Sequence, residues 1–121
     1  MNENRRFRRE WLEQELIIVI DMYYNFLKKD SHGYDAVARC MGRYNPAKAR
    51  HDGAINEKIA EIKGYVERSR KERHPGAALF QLVDQYRNNL IVLRRAAKAA
   101  WQSILHDYGG PVPAEVRQYV S

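Results

Sequence analysis

From Leu79 to Ile104 the residues Leu79, Val83, Tyr86, Leu90, Leu93, Ala97, Ala100 and Ile104 recur at steps of four and three. That rhythm belongs to one face of an α-helix and to no strand, whose period is two. At 1.5 Å per residue the seam spans about 40 to 45 Å, more than the width of a small domain. It has two uses. It is a spine on which the rest of the chain packs, the commoner role for a single seam, or its far end pairs with a second copy as a homodimer.

The remaining segments carry the same period. Leu12, Leu16, Val19 or Ile20, Tyr23 and Leu27 form a stripe that predicts a first helix over 10–29. Ile17, Ile18 and Phe26 widen the stripe beyond one face, so this helix is expected to be central, with neighbours on several sides. Val37, Ala38 and Met41 predict a short second helix over 35–41, closed by Gly42. Asn45-Pro46 suits the cap and first residue of a single helical turn over 45–50. Gly53 argues for a break, after which Ile55, Ile59, Ile62 and Val66 predict a third helix over 52–70. Pro75-Gly76 interrupts the chain before the seam, Gly109-Gly110 ends it, and Pro113 opens a last short turn reaching Val120. The expected fold is an all-α small bundle. A basic arm (1–9) precedes one helical domain (10–121), in which a tri-helical, helix-turn-helix-like unit (10–70) packs on one long C-terminal helix (76–106) with a tail (107–121).

With 121 residues, 45% of them hydrophobic and 30% charged, the chain has the balance of a single folded domain. Its one cysteine, Cys40, excludes an internal disulfide, and no Cys/His cluster has zinc-finger spacing, so no metal or cofactor is expected. The longest apolar run, Leu16 to Ile20, is far too short to span a membrane, and no apolar leader follows Met1, which leads to the expectation of a cytoplasmic protein without a membrane partner. The formal net charge is +6, from 21 Lys+Arg against 15 Asp+Glu. Such a balance favours polyanions or acidic protein surfaces. Two stretches concentrate it: Arg5, Arg6, Arg8 and Arg9 at the N-terminus, and Arg87, Arg94, Arg95 and Lys98 in a region with no acid between Asp84 and Asp107.

The segment from Tyr34 to Val66 has the layout of a helix-turn-helix, a short helix, a glycine turn and a longer helix with one apolar face. Arg43, Lys48 and Arg50 lie in or near the turn, where cations grip phosphates, and Asn56 and Lys58 begin the helix that would enter a groove. Two helices joined by a turn also occur in many small proteins that never meet DNA. The ordered series Trp11, Glu15-Leu16, Tyr23, Val37-Ala38, Met41-Gly42-Arg43, Ile55, Lys58-Ile59 and Ile62 resembles the helical recognition domain that precedes HNH modules in restriction-type endonucleases. More loosely it is similar to tri-helical Myb or SANT domains. The resemblance covers residues 10 to 66 and implies DNA recognition through the Arg43 turn and the helix bearing Lys58. The stretch from Tyr44 to His51 is longer than the family's turn, and no HNH nuclease follows.

Catalytic patterns are sparse. His51-Asp52 spells the metal-binding pair of HD-type phosphohydrolases, with His32 and Asp84 or Asp107 as outer ligands, but three nearby cations oppose a metal and no apolar helix precedes the pair. Glu61-Ile62-Lys63 spells a nuclease motif that requires a strand, and this segment has a helical period. Cys40 has no base beside it and falls in an apolar helix, which suits a core thiol. No glycine-rich phosphate loop occurs. Of the aromatic residues, Tyr23, Tyr65 and Tyr86 fall on or near apolar stripes, and Tyr44 is the better surface platform for stacking on a base. The N-terminal arginines serve either as an arm reaching phosphates or as a solubilising tail.

The expected function is therefore non-enzymatic DNA binding, with Arg5, Arg6, Arg8, Arg9, Arg43, Tyr44, Lys48, Arg50, Asn56, Lys58, Arg94, Arg95 and Lys98 as contact residues. The alternative is a small phage-type inhibitor or adaptor, similar in kind to the anti-CRISPR proteins of phage defence, that binds a protein or nucleoprotein partner with the long helix as docking edge. A minor alternative is the HD-type hydrolase.

Overall fold

A computed structural model describes residues 11–26, 33–41, 52–68 and 78–120. They form six α-helices, α1 (Glu13–Phe26), α2 (Tyr34–Cys40), α3 (Asp52–Arg68), α4 (Ala78–Tyr86), α5 (Leu90–Tyr108) and α6 (Arg117–Val120), with a 3-10 turn at Ala114–Val116 and no strand among the described residues. The all-α bundle expected from periodicity is the observed fold.

The first helix, α1, is the centre. Every residue from Glu15 to Tyr23 is buried, which is how its over-wide apolar stripe is used. Its start carries half of a capping box: the backbone N–H of Leu12 donates to Glu15 Oε1 at 2.9 Å, satisfying a donor that the helix leaves over. Gln14 meets Ser103 and Asp21 meets Arg94, so α5 runs antiparallel to α1. Trp11 meets Lys58 and Tyr23 meets Glu67, so α3 runs parallel to it on another side.

The long seam is broken. Sequence spacing predicts one helix over 76–106, and the structure holds two, because Asn89 leaves helical space at φ −149° and ψ 76° and its side chain accepts from the Val92 N–H at 3.3 Å. Asparagine favours such a cap over a helix interior, where its amide competes for backbone partners. The spacing runs unbroken across the gap because Tyr86 and Leu90 still stand four apart. Leu79, Val83, Tyr86, Leu93, Ala97, Ala100 and Ile104 are all buried within the single chain, so the seam acts as a spine. At its end Gly109 takes φ 76° and returns its N–H to the Leu105 carbonyl at 3.0 Å.

The third helix begins at Asp52, as the spacing predicts, with Gly53 inside its first turn. A glycine inside a helix costs about 1 kcal/mol. Burial of Ile55, Ile59 and Ile62 outweighs it, at roughly 1.5–3 kcal/mol each. The tail is part of the core. Tyr119 is 2% exposed, lies parallel to Trp101 with ring centres 6.4 Å apart, and meets the Phe26 ring edge-on at 4.9 Å. Gly33, at φ 92°, opens α2 against this tail, where a Cβ would stand 2.8 Å from the Cβ of Glu115.

Candidate nucleic-acid interface

Of the expected contact residues, Arg5, Arg6, Arg8, Arg9, Arg43, Tyr44, Lys48 and Arg50 lie outside the described residues, as do Gly42, His32 and His51. The others fall into two groups. Asn56 is exposed in the second turn of α3, and Lys58, half-buried, holds its ammonium 5.1 Å from the centre of the Trp11 ring and 3.4 Å from Glu61. The chain enters its described part at Trp11, and α3 begins six residues before Lys58. Segments 1–10 and 42–51, with four and three cations, join the described residues at Trp11 and at Asp52 respectively. The outward row of α3 is not uniformly positive. Glu57, Glu61, Lys63 and Glu67 are exposed, Glu61 facing Lys58 and Glu67 accepting from the Tyr23 hydroxyl at 3.1 Å.

Arg94, Arg95 and Lys98 belong to the first half of α5, and Asp21, which Arg94 meets, stands about 15 Å along α1 from Trp11 at 1.5 Å per residue. Arg94 is engaged internally, donating to the Asp21 carboxylate and to the Tyr119 carbonyl at 2.6 Å, with its guanidinium 4.9 Å from the centre of the Phe26 ring. Burial pushes the Asp21 carboxyl above its ordinary range, against the hydrogen bond from Asn25 and the charges of Arg94 and Lys98, which pull it down. Arg87 is likewise paired, 3.2 Å from Asp84, which also accepts from the Tyr65 hydroxyl at 2.7 Å. Asp84 is local to Arg87, Asp21 is brought to Arg94 by packing, and Arg95 and Lys98 remain exposed, with no ion-pair partner among the described residues.

Beside them is an open groove of about 330 Å3 lined by Asn25, Leu90, Ile91, Arg94, Arg95 and Lys98. Ile91 is 72% exposed and Val92 40%. A signal for this face was present in the sequence, because both stand off the seam defined by Leu90 and Leu93.

The charge is distributed unevenly. Segments 1–10, 27–32, 42–51 and 69–77 together carry a formal +8, which leaves the described helices and turns at −2. No group of three or more His, Cys, Asp or Glu side chains able to hold a metal occurs among the described residues. Asp84 is committed to Tyr65 and Arg87, and the buried Cys40 thiol is pushed up to about 11 by burial, which suits a core residue. No helix among the described residues is long and apolar enough to cross a membrane. No protein-family model matches the chain, and no curated protein or solved structure is significantly similar to it.

Proposed function

We propose that the protein is a non-enzymatic DNA-binding helical module that meets the duplex at the end of the bundle where α3 begins, with α2 and α3 as its helix-turn-helix pair. The observation that carries this is the Lys58–Trp11 contact at 5.1 Å. It brings the start of α3, preceded in sequence by Arg43, Tyr44, Lys48 and Arg50, next to the point where the arm bearing Arg5, Arg6, Arg8 and Arg9 joins the body. The two segments carry seven cations in sequence, a number within the range of phosphate contacts that gives a protein steeply salt-dependent binding. Backbone contacts of this kind position a protein on DNA, and Asn56, with amide donors and an acceptor, is the residue suited to a base edge.

The acids along the outer row of α3 limit the mode of approach. Glu61 and Glu67 would face phosphates if the whole helix lay in a groove, whereas Glu57, beside Asn56, is an acid within the proposed contact. The duplex is met by the first two turns of α3, end-on, where the helix dipole also favours an anion. Arg94 is held by Asp21, away from the Lys58–Trp11 contact, and is not needed for the proposed interface. A mobility-shift titration of the full chain on random-sequence duplex at low salt tests the proposal. Retention of the duplex is expected, and the absence of any shift would overturn it.

A further inference from the structure

The face of α5 made by Leu90, Ile91, Arg94, Arg95 and Lys98 lies away from the Lys58–Trp11 contact and has the features of a binding surface of its own. These positions fall at i, i+1, i+4, i+5 and i+8, so they share one side of the helix. Asn25, one residue before the end of α1, forms the opposite lip of the groove and gives its amide N–H to Asp21 at 2.6 Å. From these residues we infer that the groove is a docking site for an acidic segment of another protein, one that carries a bulky apolar side chain flanked by Asp or Glu.

Charge and apolar exposure decide the occupant together. Ile91, 72% exposed in a chain whose other isoleucines in the described residues are buried, offers an apolar contact that phosphates cannot use. Arg95 and Lys98 are the cations of this face without an internal partner among the described residues, whereas the charge of Arg94 is answered by Asp21. The first turn of α5 contains no acid, and its capped N-terminus adds partial positive charge on the same side. A second copy of the chain is a poor match, because two-fold pairing on this face would set Arg95 and Lys98 against their own counterparts. A nucleic acid would meet two cations here beside an exposed isoleucine that its phosphates cannot use. An acidic peptide with an apolar anchor satisfies both halves of the surface, the anchor over Leu90 and Ile91 and the carboxylates toward Arg95 and Lys98.

The inference does not depend on DNA binding, which is assigned to the region of the Lys58–Trp11 contact. Its test is fluorescence anisotropy of the full chain with a labelled peptide in which three glutamates flank each side of a Leu-Phe pair, against the same peptide with Ser-Ser at the centre. Ile91, Arg95 and Lys98 are all exposed, so Ile91→Asn and the double variant Arg95→Glu, Lys98→Glu should melt as the parent does by circular dichroism. The Leu-Phe peptide is expected to bind at least roughly tenfold more tightly than the Ser-Ser peptide, with Ile91→Asn abolishing that preference and the charge reversal weakening both peptides by a similar factor. Equal affinity for the two peptides, no measurable binding, or binding unchanged in the variants overturns the inference. So does a parent dimer in light scattering that Ile91→Asn converts to a monomer, since the face would then belong to a second copy. Loss of duplex binding in Ile91→Asn also overturns it, in favour of a nucleic acid.

Discussion

The guanidinium of Arg94 on α5 donates to the carboxylate of Asp21 on α1, which is 1% exposed and sits at the centre of the bundle. The same guanidinium holds the Tyr119 carbonyl of the tail, so one side chain joins three elements. Arg94→Met leaves the buried carboxylate without its cation and should cost about 3 kcal/mol in urea unfolding. The sign of the pH dependence follows from burial. A buried carboxyl with a raised folded-state pKa resists ionisation, so its penalty grows as pH rises above the unfolded value of 3.8. The variant should therefore be less impaired at pH 5 than at pH 8, and adding Asp21→Asn should restore part of the loss. An equal deficit at both pH values would contradict the buried-charge account.

Asn89 separates α4 from α5 by capping the latter. Asn89→Ala should lower stability by about 1 kcal/mol in urea unfolding, the usual cost of a lost N-cap. A gain in stability would mean that the seam prefers to run as one helix.

Two glycines at positive φ should respond differently to alanine. At Gly109 a Cβ meets nothing within 4 Å, so only backbone strain is added, about 1 kcal/mol. At Gly33 the new Cβ would also stand 2.8 Å from the Cβ of Glu115, so Gly33→Ala should lower the melting temperature clearly more than Gly109→Ala.

The helical spacing made most of this fold legible. It identified α1 as a central helix because Ile17, Ile18 and Phe26 overfill one stripe, and it identified the seam residues as core. The break at Asn89 was masked because the steps of four and three continue across it, although paired asparagines at 88 and 89 are a local sign that spacing alone ignores. Charge was harder to read. Arg94 looks unopposed in sequence, and Asp21 answers it only through packing across helices, whereas Arg87 has Asp84 three residues before it. Tyr119 offered no signal, since a four-residue helix has too few positions to show a period.

Alkaline pH should unfold the protein in stages. Burial pushes the Cys40 thiol from 9.0 up to about 11, and Tyr119 from 10.0 up to about 12. Burial and the neighbouring Glu67 push Tyr23 from 10.0 up to about 12. Each group then loses its proton more easily in the unfolded chain, so stability is full below about pH 9 and declines as pH rises from 9 to 12. Urea midpoints across that range check the decline. Cys40 should react with a thiol reagent only as the chain unfolds, and rapid reaction in the native state would contradict its burial.

The most direct test of DNA binding is the salt dependence of duplex affinity for the full chain. The parent should lose affinity steeply with salt, and neutralising Arg43, Lys48 and Arg50 together should reduce the log–log slope by roughly one per cation removed while weakening binding at every salt concentration. Neutralising Arg95 and Lys98 should leave both unchanged. Duplex binding that is insensitive to salt and equally strong in the triple variant would contradict the proposed interface.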